Sequence, residues 1–355
     1  MASQRPAANL SAIAAALGVS GATVSNALSG KGRVSAELTE KIRKKAAELG
    51  YVPSSAGRAL RTGRSGVLGL VLPDIANPLF PQIAQAIEQA AADAGYGVLI
   101  ADSHGDVAKQ TEAINRLIER GVEGMIVVPR RGTRIADVDC PVAVIDSPST
   151  PGNTVAADHW GGGQEIGRHL AGLGHEKVVI IAKNPDSNVQ NDRVGGIRAG
   201  LSASAKTETL WIAPLEQRDG AGCRLGVADK VAQGFTAFAA VSDLHALRVL
   251  TELQQEGISV PEQASVTGFD DLIWAPVVTP ALTTIRMNMA RIADTAITAL
   301  VRVIDGEDPA DRSASGGVVA DISKVAMELI IRRSTASNNQ KQNEDKTSTA
   351  GELTS

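Results

Sequence analysis

The chain has 355 residues, 43% hydrophobic, 21% charged and 3% aromatic, with a formal net charge of −4. That balance belongs to an ordinary globular protein with an aliphatic core, long enough for about two or three domains, and excludes a disordered or collagen-like chain. The two cysteines, Cys140 and Cys223, have no metal-ligand spacing, no apolar signal region opens the chain and no apolar run reaches membrane-spanning length, so the expected compartment is the reducing cytoplasm, with no disulfide framework, membrane or cofactor.

The charge is unevenly placed. Residues 1–65 carry ten Lys/Arg against three Glu, a formal +7, which leaves −11 on the rest. A basic head on an acidic body suits a head that meets phosphate and a body that does not.

Within the head, Asn9–Gly30 (NLSAIAAALGVSGATVSNALSG) predicts two short helices joined by a tight turn. Leu10, Ile13, Ala14 and Leu17 recur at i, i+3, i+4 and i+7, one apolar helical face. Gly18 supplies the freedom the turn needs, and Ser20 caps a second helix that buries Val24, Ala27 and Leu28. The other face of that helix carries small or polar groups, Gly21, Ala22, Thr23, Ser25 and Asn26, as a helix entering a groove requires. This is the layout of a helix-turn-helix; the alternative is an α-hairpin in some other core. Ser35 caps a third helix with a buried stripe of Leu38, Ile42, Ala46 and Leu49, ended by Gly50. The headpiece is thus expected over residues 1–50.

Tyr51-Val52-Pro53 breaks the helix, and Ser54–Gly63 reads as about two turns of helix in a hinge over 51–65. Leu60 between Arg58 and Arg61 suits a minor-groove wedge; the alternative is a linker that touches nothing. From Val67 short apolar runs alternate with helical stretches. Strands are expected at Val67–Leu72, Gly97–Ala101, Met125–Val128, Val142–Ile145, Val178–Ala182, Leu210–Ala213, Phe238–Val241 and Ser265–Phe269. Helices are expected near 79–94, 107–120, 162–173, 193–204, 221–233, 243–256 and 288–305. Strands buried on both faces with helical crossovers imply parallel α/β sheets, here in two lobes over 66–333 with a ligand cleft at the strands' carboxyl ends. Residues 334–355 lack apolar periodicity and are expected to be a disordered tail without a coiled coil.

Headpiece, hinge and core together resemble the lactose-repressor (LacI/GalR) family over Asn9 to Arg333. The matching segments include LSAIAAALGVSGATVSNALSGKGRVS, ELGYVPSSAGRALRTGRSGVLGLVLPDIANPLF, DRVGGIRAG and VTGFDDLIWA. The resemblance implies a helix-turn-helix headpiece and hinge helix ahead of a two-lobed core like the periplasmic sugar-binding proteins. It also implies a homodimer on near-palindromic operator DNA, with a sugar-like effector between the lobes controlling affinity. It puts Ser20, Gly21, Ala22, Ser25 and Asn26 in the groove, with Asn26 carrying an amide suited to adenine. It makes Leu10, Ser11, Thr23, Ser29, Arg33, Val34 and Ser35 backbone or flanking contacts, and Leu60 the hinge leucine. Ser54 replaces the usual asparagine and Gly57 stands where alanine is common.

The same likeness implies effector contacts from Arg193 and Asp270, whose guanidinium and carboxylate can hold a sugar's hydroxyls. Asp146, ending the strand Val142–Ile145, is a third candidate contact, Asn77 and Phe80 are expected to line the first lobe, and Ser242 stands where some relatives use an asparagine to bind hydroxyls. Arg130, Arg131 and Arg134 after one strand, Lys183 after another, and Arg193 would make the cleft basic, so an anionic sugar phosphate or sugar acid is the expected effector. For these residues the alternative is a surface or loop-capping role. An enzyme is not expected. GGGQEIG at Gly161–Gly167 misses the dinucleotide spacing by one place and suits an ordinary crossover helix; no phosphate loop occurs; and His175, in L-G-H-E, reads as a turn residue. The other reading left open is a sugar-binding module or enzyme with no DNA role.

Overall fold

The computed structural model describes residues 9–29, 32–51, 63–133, 135, 138–145, 154–306 and 323–338. The chain divides into two compact units, Met1–Gly66 and Val67–Ser355. No single helix among the described residues is long and apolar enough to cross a membrane.

The first unit holds α1 (Leu10–Leu17), α2 (Gly21–Ser29) and α3 (Ala36–Glu48). Asn9 Oδ1 caps α1 at Ala12 N–H (2.9 Å), and Gly18 ends it at φ 67° with its N–H on Ala14 O. α2 then leaves at 108° to α1, the crossing expected of a helix-turn-helix. Ile13, Ala14, Val24, Ala27, Ile42 and Ala46 form the core, with Leu10, Leu17, Val19, Leu28, Val34 and Leu38 packed around it. Leu49 departs from expectation: it is 40% exposed, because α3 stops at Glu48 and Leu49 is its C-cap. Tyr51 packs on the core instead, its N–H on Ala46 O at 2.8 Å. The expected hinge helix, with Ser54, Gly57 and Leu60, lies outside the described residues.

The second unit begins with β1 (Val67–Leu72), α4 (Leu79–Asp93), β2 (Gly97–Asp102), α5 (Val107–Glu119), β3 (Gly124–Val127) and β4 (Val142–Val144). The strands form a parallel sheet of order β2-β1-β3-β4. Successive strand residues face opposite sides. In β1, Leu68, Leu70 and Leu72 pack toward Ile87 of α4, while Val71 packs toward Ile114 and Leu117 of α5. A short β5 (Val155–Ala157) then carries the chain into the second lobe.

That lobe contains α6 (His159–Gly172), β6 (Lys177–Ala182), α7 (Asn188–Gly200), β7 (Lys206–Trp211), α8 (Ile212–Asp219), α9 (Val227–Ala232), β8 (Ala237–Ala240), α10 (Asp243–Gln255) and β9 (Ser265–Thr267). Its sheet, parallel with order β7-β6-β8-β9, is again covered on both faces. The chain returns through β10 (Thr284–Arg286) to α11 (Met289–Ile304), whose Ile292, Ala296 and Leu300 fill the first-lobe core. β11 (Ser323–Val325) pairs parallel with β5, and β12 (Glu328–Ile330) antiparallel with β10. Three crossings, at 157–159, 286–289 and 325–328, therefore join the lobes.

Several expectations need correction. The strand expected at Leu210–Ala213 is β7, which begins at Lys206 and gives way to α8 at Ile212. It is a sheet edge and polar, with Glu208 paired to Lys230 at 2.6 Å, so it lacks the apolar run of a central strand. The helix expected at 221–233 is only α9, Val227–Ala232, and a separate helix, α8, precedes it at Ile212–Asp219. The tail is ordered at its start. Ser334 is fully buried, its Oγ donating to Val266 O (2.6 Å) and accepting Thr283 N–H (2.8 Å), and Asn338 N–H reaches Leu173 O (2.8 Å). Hydrogen bonds, not apolar periodicity, hold this segment; residues 339–355 lie outside the described residues.

Candidate functional site: a helix-turn-helix face and an interlobe cleft

On the headpiece, Ser11, Ser20, Gly21, Ala22, Asn26, Arg33 and Ser35 are exposed, and Thr23 and Ser25 are half-buried. Ser20 Oγ accepts Thr23 N–H at 3.0 Å and Ser35 Oγ accepts Leu38 N–H at 3.3 Å, so both hydroxyls cap helices. Leu10 and Val34 turn their side chains toward the core. Ser29 ends α2. Gly32, at φ 91°, leaves room for the Asn26 amide, which a Cβ there would meet at 3.1 Å. Lys41 and Lys45 pair with Glu37 (2.7 Å) and Glu48 (3.0 Å) on the α3 surface, so part of the positive charge is already screened within the helix.

The cleft of the second unit is a cavity of about 1790 Å³. Its walls are the carboxyl ends of both sheets: Pro73 after β1, Val128–Thr133 after β3, Ile145 after β4, Lys183 after β6, Ala213 after β7, Ser242 after β8 and Asp270 after β9. This is where doubly wound sheets take ligands, because the strand-to-helix turns there present polar groups to a crevice.

Asn77, Phe80, Arg130, Arg193, Ser242 and Asp270 all line this cavity. Asp146 and Arg134 lie outside the described residues. Asn77 Oδ1 accepts Leu79 N–H (3.1 Å) and Ser242 Oγ caps α10 at His245 N–H (3.3 Å), so each combines a structural bond with its place on the wall. Phe80 is half-buried against the first-lobe core.

Arg193 and Asp270 are brought into direct contact. Arg193 sits inside α7, not at its start as expected, because Ser187 caps a helix that begins at Asn188, five residues earlier. Its Nη1 donates to Asp270 Oδ1 (2.8 Å) and Val241 O (2.7 Å), its Nε donates to His159 Nδ1 (3.3 Å), and its guanidinium lies 3.9 Å from the Phe269 ring centre. Each side chain of the pair is 4% exposed. His159 accepts through Nδ1, so its proton rests on Nε2; burial and then Arg193 hold its pKa well below the usual range. Burial pushes Asp270 up to about 6 while Arg193 opposes the rise. The Asp270 backbone is at φ 107°, a conformation sparsely populated by non-glycine residues and common at functional sites.

Close helix packing sets the position of Arg193. A Cβ on Gly163 would stand 2.5 Å from Arg193 O, one on Gly167 2.3 Å from Ile197 O, and one on Gly200 2.3 Å from Gln164 O. Two of the glycines that resemble a dinucleotide loop, Gly163 and Gly167, thus serve to let α6 and α7 approach backbone to backbone.

Several further residues shape the cleft without a signal in the sequence. Gln110, fully buried on α5, braces the loop after β3. Asp243 ties α10 to the turn beyond Asp270 through Leu272 N–H (2.7 Å). His159 and His245 line the cavity, and His245 Nδ1 is buried without a partner among the described residues. A lone histidine or glutamine in a helical pattern carries no local signal of such a role. His175 closes the turn after α6, its N–H on Leu170 O (3.1 Å), and its side chain is also a clamp: Nδ1 meets Thr236 Oγ1 (2.9 Å) and Nε2 meets Ser265 Oγ (3.0 Å) and Ala336 O (3.1 Å). Among the described residues no cluster of three or more His, Cys, Asp or Glu could hold a metal ion.

Comparison with known proteins matches this architecture. Residues 9–54 fit the model for bacterial regulatory proteins of the lacI family, and residues 168–335 fit the periplasmic binding protein-like domain. The chain is 30% identical over 286 residues to the HTH-type transcriptional regulator DegA of Bacillus subtilis, spanning 77% of this chain and 84% of that protein. It is 29% identical over 295 residues to the ribose operon repressor of Haemophilus influenzae, spanning 81% and 89%. Among solved structures, the lac repressor dimer bound to operator and an anti-inducer shares its fold with a TM-score of 0.76 at 23% identity, over 93% of this chain and 100% of that one. A reading helix on a three-helix head, followed by two doubly wound lobes around a polar cleft, agrees with these likenesses: the chain belongs to the lacI family of bacterial regulatory proteins and is a DNA-binding transcriptional regulator, not an enzyme.

Proposed function

We propose that this protein is a cytoplasmic repressor that binds a near-palindromic operator as a homodimer and is controlled by a sugar-like effector between its lobes. The observation that carries the reading is the buried Arg193–Asp270 pair on the wall of a large cleft. A charged donor and a charged acceptor side by side match the paired hydroxyls of a sugar, and burial strengthens each bond. Relatives point the same way, since one is named a ribose operon repressor and one solved structure is a regulator–cellobiose complex. Exposed apolar side chains, Leu99 and Ile100 on edge strand β2 and Ile273 and Val277 beyond Asp270, suit burial against a second copy.

Groove reading falls to Ser20, Gly21, Ala22, Ser25 and Asn26, and the minor-groove wedge to Leu60. Effector binding changes how the lobes close about the three crossings, and with it the spacing of the two hinges on the operator. Coupling of this kind is typically about 1–3 kcal/mol and is reciprocal, so DNA changes effector affinity by the same factor. The finer reading is an anionic effector, a sugar phosphate or sugar acid. Arg130, Arg131 and Lys183 line the cleft and make no ion pair among the described residues.

The test is a gel shift on upstream promoter fragments with and without candidate sugars. Retardation that an effector alters is the expected result, and Arg193→Met is expected to retain DNA binding while losing that response. A chain that retards no fragment at low salt, whatever metabolite is present, overturns the reading. Calorimetry with paired neutral and phosphorylated sugars addresses the finer claim, which fails if only the neutral form binds.

A further inference from the structure

The loop after β3 is built more firmly than a surface turn requires. Arg130, Arg131, Gly132 and Thr133 line the cavity at the carboxyl end of a parallel strand. Gln110, wholly buried, holds them from beneath. Its Nε2 donates to Val128 O (3.0 Å), while its Oε1 accepts Arg130 N–H (2.8 Å) and the Thr133 hydroxyl (2.5 Å). Three bonds from one buried amide to one loop form a brace, because releasing any of them strands a polar group away from water.

What the brace presents is two adjacent guanidinium groups, Arg130 half-buried and Arg131 exposed, neither with an ion-pair partner among the described residues. From the other lobe Lys183, the first residue past β6, lines the same cavity; it makes no ion pair among the described residues, although Glu216 feels its charge. Of the carboxylates on the cavity wall, Asp270 is bonded to Arg193 and Asp74 accepts Ala76 N–H at 3.0 Å, while Asp186 is exposed. Adjacent like charges such as Arg130 and Arg131 repel one another, and an oxyanion bound between them relieves the repulsion and fills their donors.

The geometry points to an oxyanion subsite, for a phosphate or carboxylate of the effector, formed by Arg130 and Arg131 on the Gln110-braced loop and completed by Lys183 across the cleft. It rests on the anionic-effector reading and goes further by placing the anion. Because the cations come from different lobes, the anion ties the lobes together, and the closed core is the liganded one. Gln110 touches no ligand; it is a positioning residue.

The experiment titrates inorganic phosphate into the full chain at constant ionic strength, with the melting temperature as readout, and repeats it by calorimetry with ribose, ribose 5-phosphate and ribonate. Phosphate is expected to raise the melting temperature saturably. Arg130→Gln/Arg131→Gln is expected to abolish that rise, and Lys183→Gln, at an exposed site that leaves the fold alone, to weaken it by about tenfold, as loss of one charged hydrogen bond does. Gln110→Ala is expected to lower affinity for the anionic ligands while leaving any ribose affinity unchanged, a split that simple destabilisation does not produce. Preference for ribose 5-phosphate over ribonate identifies phosphate as the group held, and the reverse identifies carboxylate; either supports the subsite. A phosphate response untouched by the loop and Lys183 variants, as binding to the headpiece would give, overturns the subsite but leaves an anionic effector standing. No phosphate response together with ribose binding overturns both.

Discussion

Asp243 is 1% exposed, yet both of its oxygens are used: Oδ1 accepts the Thr284 hydroxyl at 2.6 Å and Oδ2 accepts Leu272 N–H at 2.7 Å. Burial, reinforced by the neighbouring Asp270, moves its pKa from 3.8 to about 7. A folded value above the unfolded one means that the native state binds the proton more tightly. The stability this contributes is full below about pH 4 and is lost as pH rises through 7. Asp243→Asn keeps both contacts, with Nδ2 donating to Thr284 and Oδ1 accepting from Leu272. Urea unfolding of the variant is expected to show a flatter dependence between pH 4 and 7 and greater stability than the parent at pH 8. An unchanged slope would assign the titration to another group. The sequence singles out Arg193 and Asp270 by residue type and family pattern. That they bond to each other, 77 positions apart, is beyond a linear reading, because burial and pairing are properties of the assembled lobe.

At the scale of elements, the α6–α7 contact depends on missing side chains. A Cβ on Gly196 would lie 2.1 Å from Trp160 O, whereas one on Gly172, on the same pair of helices, meets nothing within 4 Å. Gly196→Ala is expected to cost about 1–3 kcal/mol in urea unfolding, as overpacking does, and to weaken effector binding through displacement of Arg193. Gly172→Ala is expected to be neutral or slightly stabilising, since it removes only unfolded-chain freedom. Equal effects of the two would mean that the helices are not in backbone contact. Central strands such as β1 and β6 are plain in the sequence, being apolar on both faces. Edge strand β7 and the three-residue strands at the crossings are not: an edge is half solvated, and three residues are too few to establish a period.

At the scale of the molecule, a basic head on an acidic body makes binding to DNA depend on ion release. Each phosphate neutralised changes the slope of log affinity against log salt by about −0.9. Exposed Arg33, on the loop before α3, is expected to contribute one such contact. Arg33→Ala should weaken binding to all sequences alike and reduce the slope by about one. A loss confined to one operator sequence would instead make it a base-reading residue.

Helical periodicity, caps, turn glycines and the placing of charge act over a few residues, so the sequence by itself determined the three-helix head and the parallel α/β character of the body. The tertiary structure alone decided that α11, late in the chain, completes the first lobe, that residues 334–338 belong to the second, and that Gln110 supports the loop bearing Arg130. Those outcomes depend on strand order and on three crossings, which bring together groups far apart in the chain and leave no periodic trace in the residues between them.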